Sequence, residues 1–295
     1  MPDSTRFWIN GQLRPEREAV IPVTDHGLLY GDGVFEGIRF YHRHPFRLAA
    51  HLQRLANSCQ AIRLGLPYTQ AQLTEAVNEI IAAFPEENGY LRLMVTRGPG
   101  PMGLNPAGCT QPNVILIATR LEMVHPELRN EGIRVIVAST RRLPADGLDP
   151  RIKSLNYLNH ILARMEATQA GVEEAILLNS QGRVAEGSAE NIYIVQDGHL
   201  ATPRLADGAL AGITRGVILE LAGELGIHTR EVPLTPYDLY TADECFLSGT
   251  GAELIPVREV DGRALRNRPG PVFSALADAF QEQVEKECKP KESVS

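Results

Sequence analysis

Cysteine is scarce: four residues, Cys59, Cys109, Cys245 and Cys288, are scattered through 295 positions. They form no CxxC pair and have no histidine at zinc-ligand spacing, which excludes a disulfide framework or a structural zinc as the organising device. They read as reduced thiols used in packing. Long apolar runs are missing as well. No stretch approaches the roughly 20 residues that span a bilayer, and Met1 to Asn10 lacks the basic start and apolar run of a signal peptide, so a cytoplasmic location is expected. Charge of one sign never accumulates. Lys plus Arg number 29 and Asp plus Glu 36, a formal charge of −7 with both signs interspersed, which argues against nucleic acid or a membrane surface as the partner. Internal repeats and low-complexity segments are absent too. The pair His42 and His44 has no third ligand of suitable type and spacing, so no metal is expected.

What is present suits a soluble globular chain. A hydrophobic fraction of 43% over this length can fill one large core or two ordinary ones. Leu48, Leu52, Leu55, Cys59 and Ile62 recur at helical spacing, and Leu73, Val77, Ile80, Ile81 and Phe84 repeat the pattern after Thr69. Strand-like runs surround them: Phe7 to Ile9, Val34 to Tyr41, Tyr90 to Thr96 and Val114 to Ala118. Residues 1–118 therefore read as a small α/β domain, the polar stretch 119–130 with Pro126 as a linker, and 131–295 as a larger second domain. In the latter a helix from about Asn156 to Thr168 is expected to bury Leu158, Ile161, Leu162 and Met165. Strands Ala175 to Leu178 and Asn191 to Val195, a helix from Ile213 with Val217, Ile218, Leu221 and Leu225 on its apolar face, and a strand at Cys245 to Leu247 follow.

Several short segments could carry chemistry. Gly98-Pro99-Gly100-Pro101-Met102-Gly103 spells G-x-G-x-x-G, but two prolines interrupt it and no helix follows, so it predicts a shaped loop between strands and not a dinucleotide site. Lys153 lies just before a helix with Ile152 and Leu155 beside it. Partial burial there would lower its amine's pKa, as nucleophilic attack on an aldehyde requires, although a lone lysine at such a place is commonly a solvated one. Glu186 falls in a turn of small residues, Glu186-Gly187-Ser188-Ala189, that joins two strands. Gly212-Ile213-Thr214-Arg215 opens a helix whose amides and dipole suit a phosphate. Ser248-Gly249-Thr250-Gly251 is a second hydroxyl-rich turn. Arg54 stands beside the apolar stripe of its helix, able to reach solvent or a pocket.

Taken together and in order, these segments resemble the class IV, or fold-type IV, aminotransferases that depend on pyridoxal 5'-phosphate (PLP), in particular the bacterial branched-chain amino acid aminotransferases. The resemblance covers nearly the whole chain: the run from His26 to Arg39, His51-Leu52-Gln53-Arg54-Leu55, Tyr90-Leu91-Arg92, Lys153-Ser154-Leu155-Asn156-Tyr157, Glu186-Gly187-Ser188, Gly212 to Arg215 and Ser248-Gly249-Thr250. It implies an α/β (α+β) two-domain fold with PLP in the interdomain cleft. Lys153 would hold the cofactor as a Schiff base and move the substrate proton, and Glu186 would hydrogen-bond the pyridine nitrogen and keep it protonated. Tyr157 would lie near the phenolic oxygen. Arg54, Ile213, Thr214 and Thr250 would hold the phosphate. Tyr30, Phe35, Gly37, Arg39, Tyr90 and Arg92 would line the substrate cavity, with Thr250 and Gly251 offering amides to the substrate carboxylate.

By the same resemblance, the partners are small amino acids and 2-oxo acids, and the assembly is a homodimer or higher homo-oligomer with the Gly98 to Pro106 loop near the neighbour's site. The activity implied is transamination of valine, leucine and isoleucine with 2-oxoglutarate. D-amino acid transaminase, (R)-selective amine transaminase and aminodeoxychorismate lyase share the lysine and glutamate. Tyr90-Leu91-Arg92 favours the branched-chain branch, and intact Lys153 and Glu186 disfavour a non-catalytic PLP-binding module. Gly251 departs from the alanine common after this turn in the family.

Overall fold

The run Gly33–Tyr41 shows how the first half folds, because alternate residues meet opposite surroundings. The computed structural model describes residues 4–122 and 126–289. Within them the chain divides into two compact units. One holds the residues up to Leu121, together with Ile152–Asn156 and the chain from Val284; the other holds Glu122–Arg151 and Tyr157–Gln283.

In the first unit the elements run β1 (Arg6–Ile9), β2 (Gln12–Arg14), α1 (His26–Tyr30), β3 (Gly33–Tyr41), β4 (His44–Pro45), α2 (Leu48–Ala61), α3 (Gln70–Ala83), β5 (Gly89–Thr96) and β6 (Asn113–Thr119). The six strands form an antiparallel sheet in the order β2-β1-β6-β5-β3-β4. Both helices are amphipathic as their spacing predicts, and Thr69 caps α3 through a reciprocal capping box with Gln72, which satisfies two amides at the helix start. Leu52, Leu55, Cys59, Leu73, Val77 and Ile80 of the helices pack against Val34, Ile38, Phe40, Leu91 and Leu93 of the sheet. Each such side chain contributes about 1.5–3 kcal/mol by leaving water. One face of β3 and β5 is thus consumed by core. The other carries Phe35, Gly37 and Arg39 opposite Met94, Arg92 and Tyr90. The glycine-proline segment after β5 is an irregular connection to β6 with one 3₁₀ turn at Pro106–Gly108.

The second unit contains α4 (Pro126–Glu131), β7 (Ile133–Arg141), α5 (Leu158–Gln169), β8 (Glu174–Leu178), β9 (Val184–Gly187), β10 (Asn191–Gln196), β11 (His199–Thr202), α6 (Ile213–Glu224), β12 (Thr229–Glu231), α7 (Pro236–Thr241), β13 (Glu244–Gly249), β14 (Glu253–Val260) and β15 (Arg263–Ala264). A last helix, α8, runs Pro271–Cys288. Eight strands follow the order β12-β11-β10-β13-β14-β7-β8-β9, and β15 pairs with β14. The sheet is mixed: β14, β7 and β8 are parallel neighbours, and β10, β13 and β14 are antiparallel. Parallel β7 and β8 require a crossover, which α5 supplies.

Four sequence expectations change here. The polar stretch 119–130 includes the start of helix α4; positions 123–125 of that stretch lie outside the described residues. Glu186 is the third residue of strand β9, not part of a turn. Most consequentially, α5 turns its large apolar residues outward: Leu158, Ile161, Leu162 and Met165 are 68%, 52%, 46% and 60% exposed. The buried face is His160, Ala163 and Ala167, packed on Ala138, Ala175 and Leu177. Alanine lets the helix approach the sheet closely, which larger side chains would prevent. Leu225, expected on the apolar face of α6, is likewise 48% exposed just past the helix end.

Candidate active site

The first unit presents its chemistry on the face of β3 and β5 that the helices leave uncovered. The segment Ile152–Asn156 lies along the edge of β3: the Phe35 amide donates to the Lys153 carbonyl at 2.9 Å and the Leu155 amide to the Gly33 carbonyl at 2.9 Å. The Lys153 amide donates to Ser58 Oγ of α2 at 3.3 Å. Lys153 is therefore fixed at its backbone, half-buried, with Nζ 4.6 Å from the centre of the Phe35 ring. The Arg92 guanidinium lies 3.4 Å from the same centre, so Phe35 meets two cations, an attractive arrangement for an aromatic ring. Gly37 leaves room for the Tyr90 ring, whose hydroxyl end a Cβ there would displace. Arg39, opposite Tyr90 in the register, donates through Nη1 to the Leu121 carbonyl at 3.1 Å. Tyr30 ends α1, and its hydroxyl accepts from the Gly103 amide at 2.9 Å, which ties it to the glycine-proline loop.

Glu36 points the other way, into the helix-covered side of the strand, where a carboxylate survives only if paired. Arg54 grips it with two bonds of 2.7 Å, and His51 Nδ1 adds a third at 2.7 Å. Burial alone would push the Glu36 carboxyl up, but the charge and hydrogen bonds of Arg54, with those of His51, outweigh it and hold it down at about 2. His51 is itself pushed down, mainly by burial. Arg54 is consequently an always-charged group locked in one orientation. The sequence reading assigned no role to Glu36 or His51, yet a glutamate at an inward position of an apolar strand, followed by histidine and arginine three apart on a helix, was the available signal.

The second unit presents Glu186, a buried carboxylate. Its Oε1 is 2.9 Å from Arg142 Nε and its Oε2 accepts from the Leu210 amide at 2.8 Å. Tyr157 caps α5 and stacks on His160 with ring centres 4.5 Å apart. Ile213 and Thr214 open α6, whose N-cap is Gly212 with no side-chain capping bond, so no cap side chain answers the first helical amides. A Cβ at Gly212 would push aside the Asn191 side chain, whose Nδ2 donates to the Leu210 carbonyl at 2.9 Å. Thr250 and Gly251 form the turn between β13 and β14. Tyr30, Phe35, Gly37, Arg39, Arg54, Tyr90, Arg92 and Lys153 belong to the first unit, and Tyr157, Glu186, Ile213, Thr214, Thr250 and Gly251 to the second.

Sequence reasoning also missed Arg142, His160 and the pair Glu174 and Glu190. The Glu174 carboxylate accepts from the Ala175 and Ser188 amides. Burial and the adjacent Glu174 charge push the Glu190 carboxyl well above the usual carboxylate range. Both acids accept from amides of the segment that follows Glu186, Glu174 from Ser188 and Glu190 from Ala189.

The profile of the Amino-transferase class IV family matches residues 33–260. The branched-chain-amino-acid aminotransferase of Pseudomonas aeruginosa is 39% identical over 280 residues, 93% of this chain and 91% of that protein. Among solved structures, the branched-chain aminotransferase of Thermoproteus uzoniensis with norvaline superposes with a TM-score of 0.90 at 39% identity, covering 96% of each chain. The branched-chain amino acid aminotransferase of Thermobaculum terrenum in its PLP form gives 0.87 at 31% identity, covering 96% of this chain and 94% of that one. With the family profile matched over residues 33–260 and a relative 39% identical over 93% of its length, the chain belongs to the class IV aminotransferases.

Proposed function

We propose that this aminotransferase moves the amino group of L-valine, L-leucine and L-isoleucine to 2-oxoglutarate, giving branched 2-oxo acids and L-glutamate, with PLP as cofactor. The observation that carries the reading is the composition of the β3–β5 face, where Phe35, Tyr90 and Gly37 lie beside Arg39 and Arg92. An aromatic wall suits a branched aliphatic group, and guanidinium groups suit the second carboxylate of glutamate.

The residues fit the cofactor group by group. An aldehyde needs an amine, and Lys153 supplies it. A pyridine nitrogen needs a carboxylate held anionic, and Glu186 beside Arg142 is one. A phosphate dianion needs fixed donors, which Arg54, the first amides of α6 with the Thr214 hydroxyl, and Thr250 provide. Tyr157 answers the phenolic oxygen. When bound, PLP supplies the electron sink for the pair released at the substrate's α carbon. Glu186 holds a proton at the ring nitrogen so that the sink is strong. The Lys153 amine takes and returns the proton at the α carbon. Arg54, pinned by Glu36, orients the phosphate, and the amides of Thr250 and Gly251 orient the substrate carboxylate.

The partners on this reading are amino acids and 2-oxo acids, the assembly is a homodimer or higher homo-oligomer and the location is the cytoplasm. No helix among the described residues is long and apolar enough to cross a membrane. The exposed stripe on α5 supplies apolar surface that a second copy would cover.

The test is Arg92→Leu. A lost charge-assisted contact is worth about 1.5–3 kcal/mol, so KM for 2-oxoglutarate should rise roughly ten- to a hundredfold, with KM for L-leucine little changed. Equal losses on both, or faster turnover of D-alanine than of L-leucine by the unsubstituted enzyme, would overturn the branched-chain reading.

A further inference from the structure

His160 is a buried histidine that the mechanism above does not use. Its Nε2 lies 2.9 Å from Arg142 Nη1, and its Nδ1 lies 2.7 Å from the Ser188 carbonyl. These two contacts fix the tautomer. A guanidinium has donors only and a carbonyl accepts only, so Nε2 must be the acceptor and Nδ1 must carry the proton. Arg142 in turn reaches the Glu186 carboxylate through Nε at 2.9 Å and the Gly208 carbonyl at 3.1 Å. The chain from Ser188 through His160 and Arg142 to Glu186 is continuous, and all four residues are at most 9% exposed. At its near end the imidazole lies under the ring of Tyr157, with planes 17° from parallel.

We infer that His160 is a positioning residue: by accepting from Nη1 it fixes the plane of the Arg142 guanidinium, and so sets how Glu186 meets a donor aimed at it. The inference rests on the proposed place of Glu186 at the pyridine nitrogen. An ionised carboxylate can accept about four hydrogen bonds, so it can serve a ring N–H while Arg142 holds it. Without the imidazole acceptor, one end of the guanidinium loses its partner. The fork is then able to turn onto the carboxylate bidentately, the arrangement arginine favours. That change draws Glu186 away from the ring nitrogen and weakens its hold on the proton there. Because the bonds at Nε2 and Nδ1 arise from opposite edges of the imidazole, variants can remove them separately.

The experiment reads the nitrogen directly in the full-length enzyme loaded with PLP carrying ¹⁵N in the ring, by its NMR shift. A neutral pyridine nitrogen resonates well downfield of a protonated one, and Glu186→Gln sets that position. His160→Phe, which keeps an aromatic ring beside Tyr157 but offers no acceptor, should move the signal downfield toward the Glu186→Gln value. His160→Asn, which keeps a donor for the Ser188 carbonyl and withdraws the acceptor from Arg142, should do the same, and remains informative if the phenylalanine variant fails to fold. His160→Gln, which offers Arg142 an amide oxygen, should stay near the unsubstituted enzyme. A signal unmoved in both the Phe and Asn variants, with only melting temperature or cofactor retention reduced, overturns the inference and leaves His160 a packing residue. An unmoved signal in Glu186→Gln instead overturns the placing of Glu186 at the nitrogen, and the inference with it.

Discussion

At the scale of single residues, the site depends on charges placed where only partners make them tolerable. Lys153→Ala should abolish turnover and the labelling of this position by borohydride reduction, because the backbone that fixes Lys153 positions no second amine. A reduced label on any other lysine would refute that assignment. Glu36→Gln tests a different dependence. The folded-state pKa of Glu36, about 2, is below its reference of 4.5, so its contribution to stability is complete above the reference value and is lost as pH falls toward the folded value. Removing one partner of a buried pair costs about 3 kcal/mol. Denaturant titrations should therefore show that deficit at neutral pH and a shrinking one between roughly pH 4.5 and 2. A constant deficit would mean that the carboxylate charge is not what counts. Lys153, Glu186, Arg54 and the substrate-face residues were proposed from the sequence because their neighbours form recognisable blocks. Arg142 and His160 were not: each meets its partners across distant stretches of chain, and neither belongs to a block with its own chemical signature.

At the scale of elements, strands and amphipathic helices of the first unit follow from period alone, since β3, β5, α2 and α3 each bury one face against a single core. The failure at α5 is instructive. Periodicity locates an apolar stripe but does not say what covers it, and here the sheet takes the alanine face while Leu158, Ile161, Leu162 and Met165 face outward. If a second copy covers the stripe, Ile161→Asp should convert the dimer to a folded monomer, because an unpaired carboxylate is costly in an apolar interface. Sedimentation of the variant would decide it. A dimer of unchanged affinity would place the interface elsewhere. Glu186 was misread as a turn residue for a related reason: Val184–Gly187 is too short for alternation to register as a strand.

At the scale of the whole molecule, composition allowed one large core or two and the pattern along the chain divided it at a polar stretch, but the first of the two units is discontinuous in sequence. Ile152–Asn156 belongs to it, although Arg151 and Tyr157 on either side belong to the second. Nothing local to those five residues announces this, because the cause is the unpaired edge of β3, a property of the sheet. The consequence concerns isotope exchange. At Gly33–Phe35 one edge of β3 is ladder to β5 and the other is covered by the lysine segment. The Phe35 amide, bonded to the Lys153 carbonyl, can exchange when that segment alone lifts, without the sheet opening. Its deuterium uptake is therefore a clock for the lysine's own detachment. It should run faster than the β5 ladder amides and slow when a ligand holds Lys153 in place, while rates matching those of the ladder would show that segment and sheet open as one.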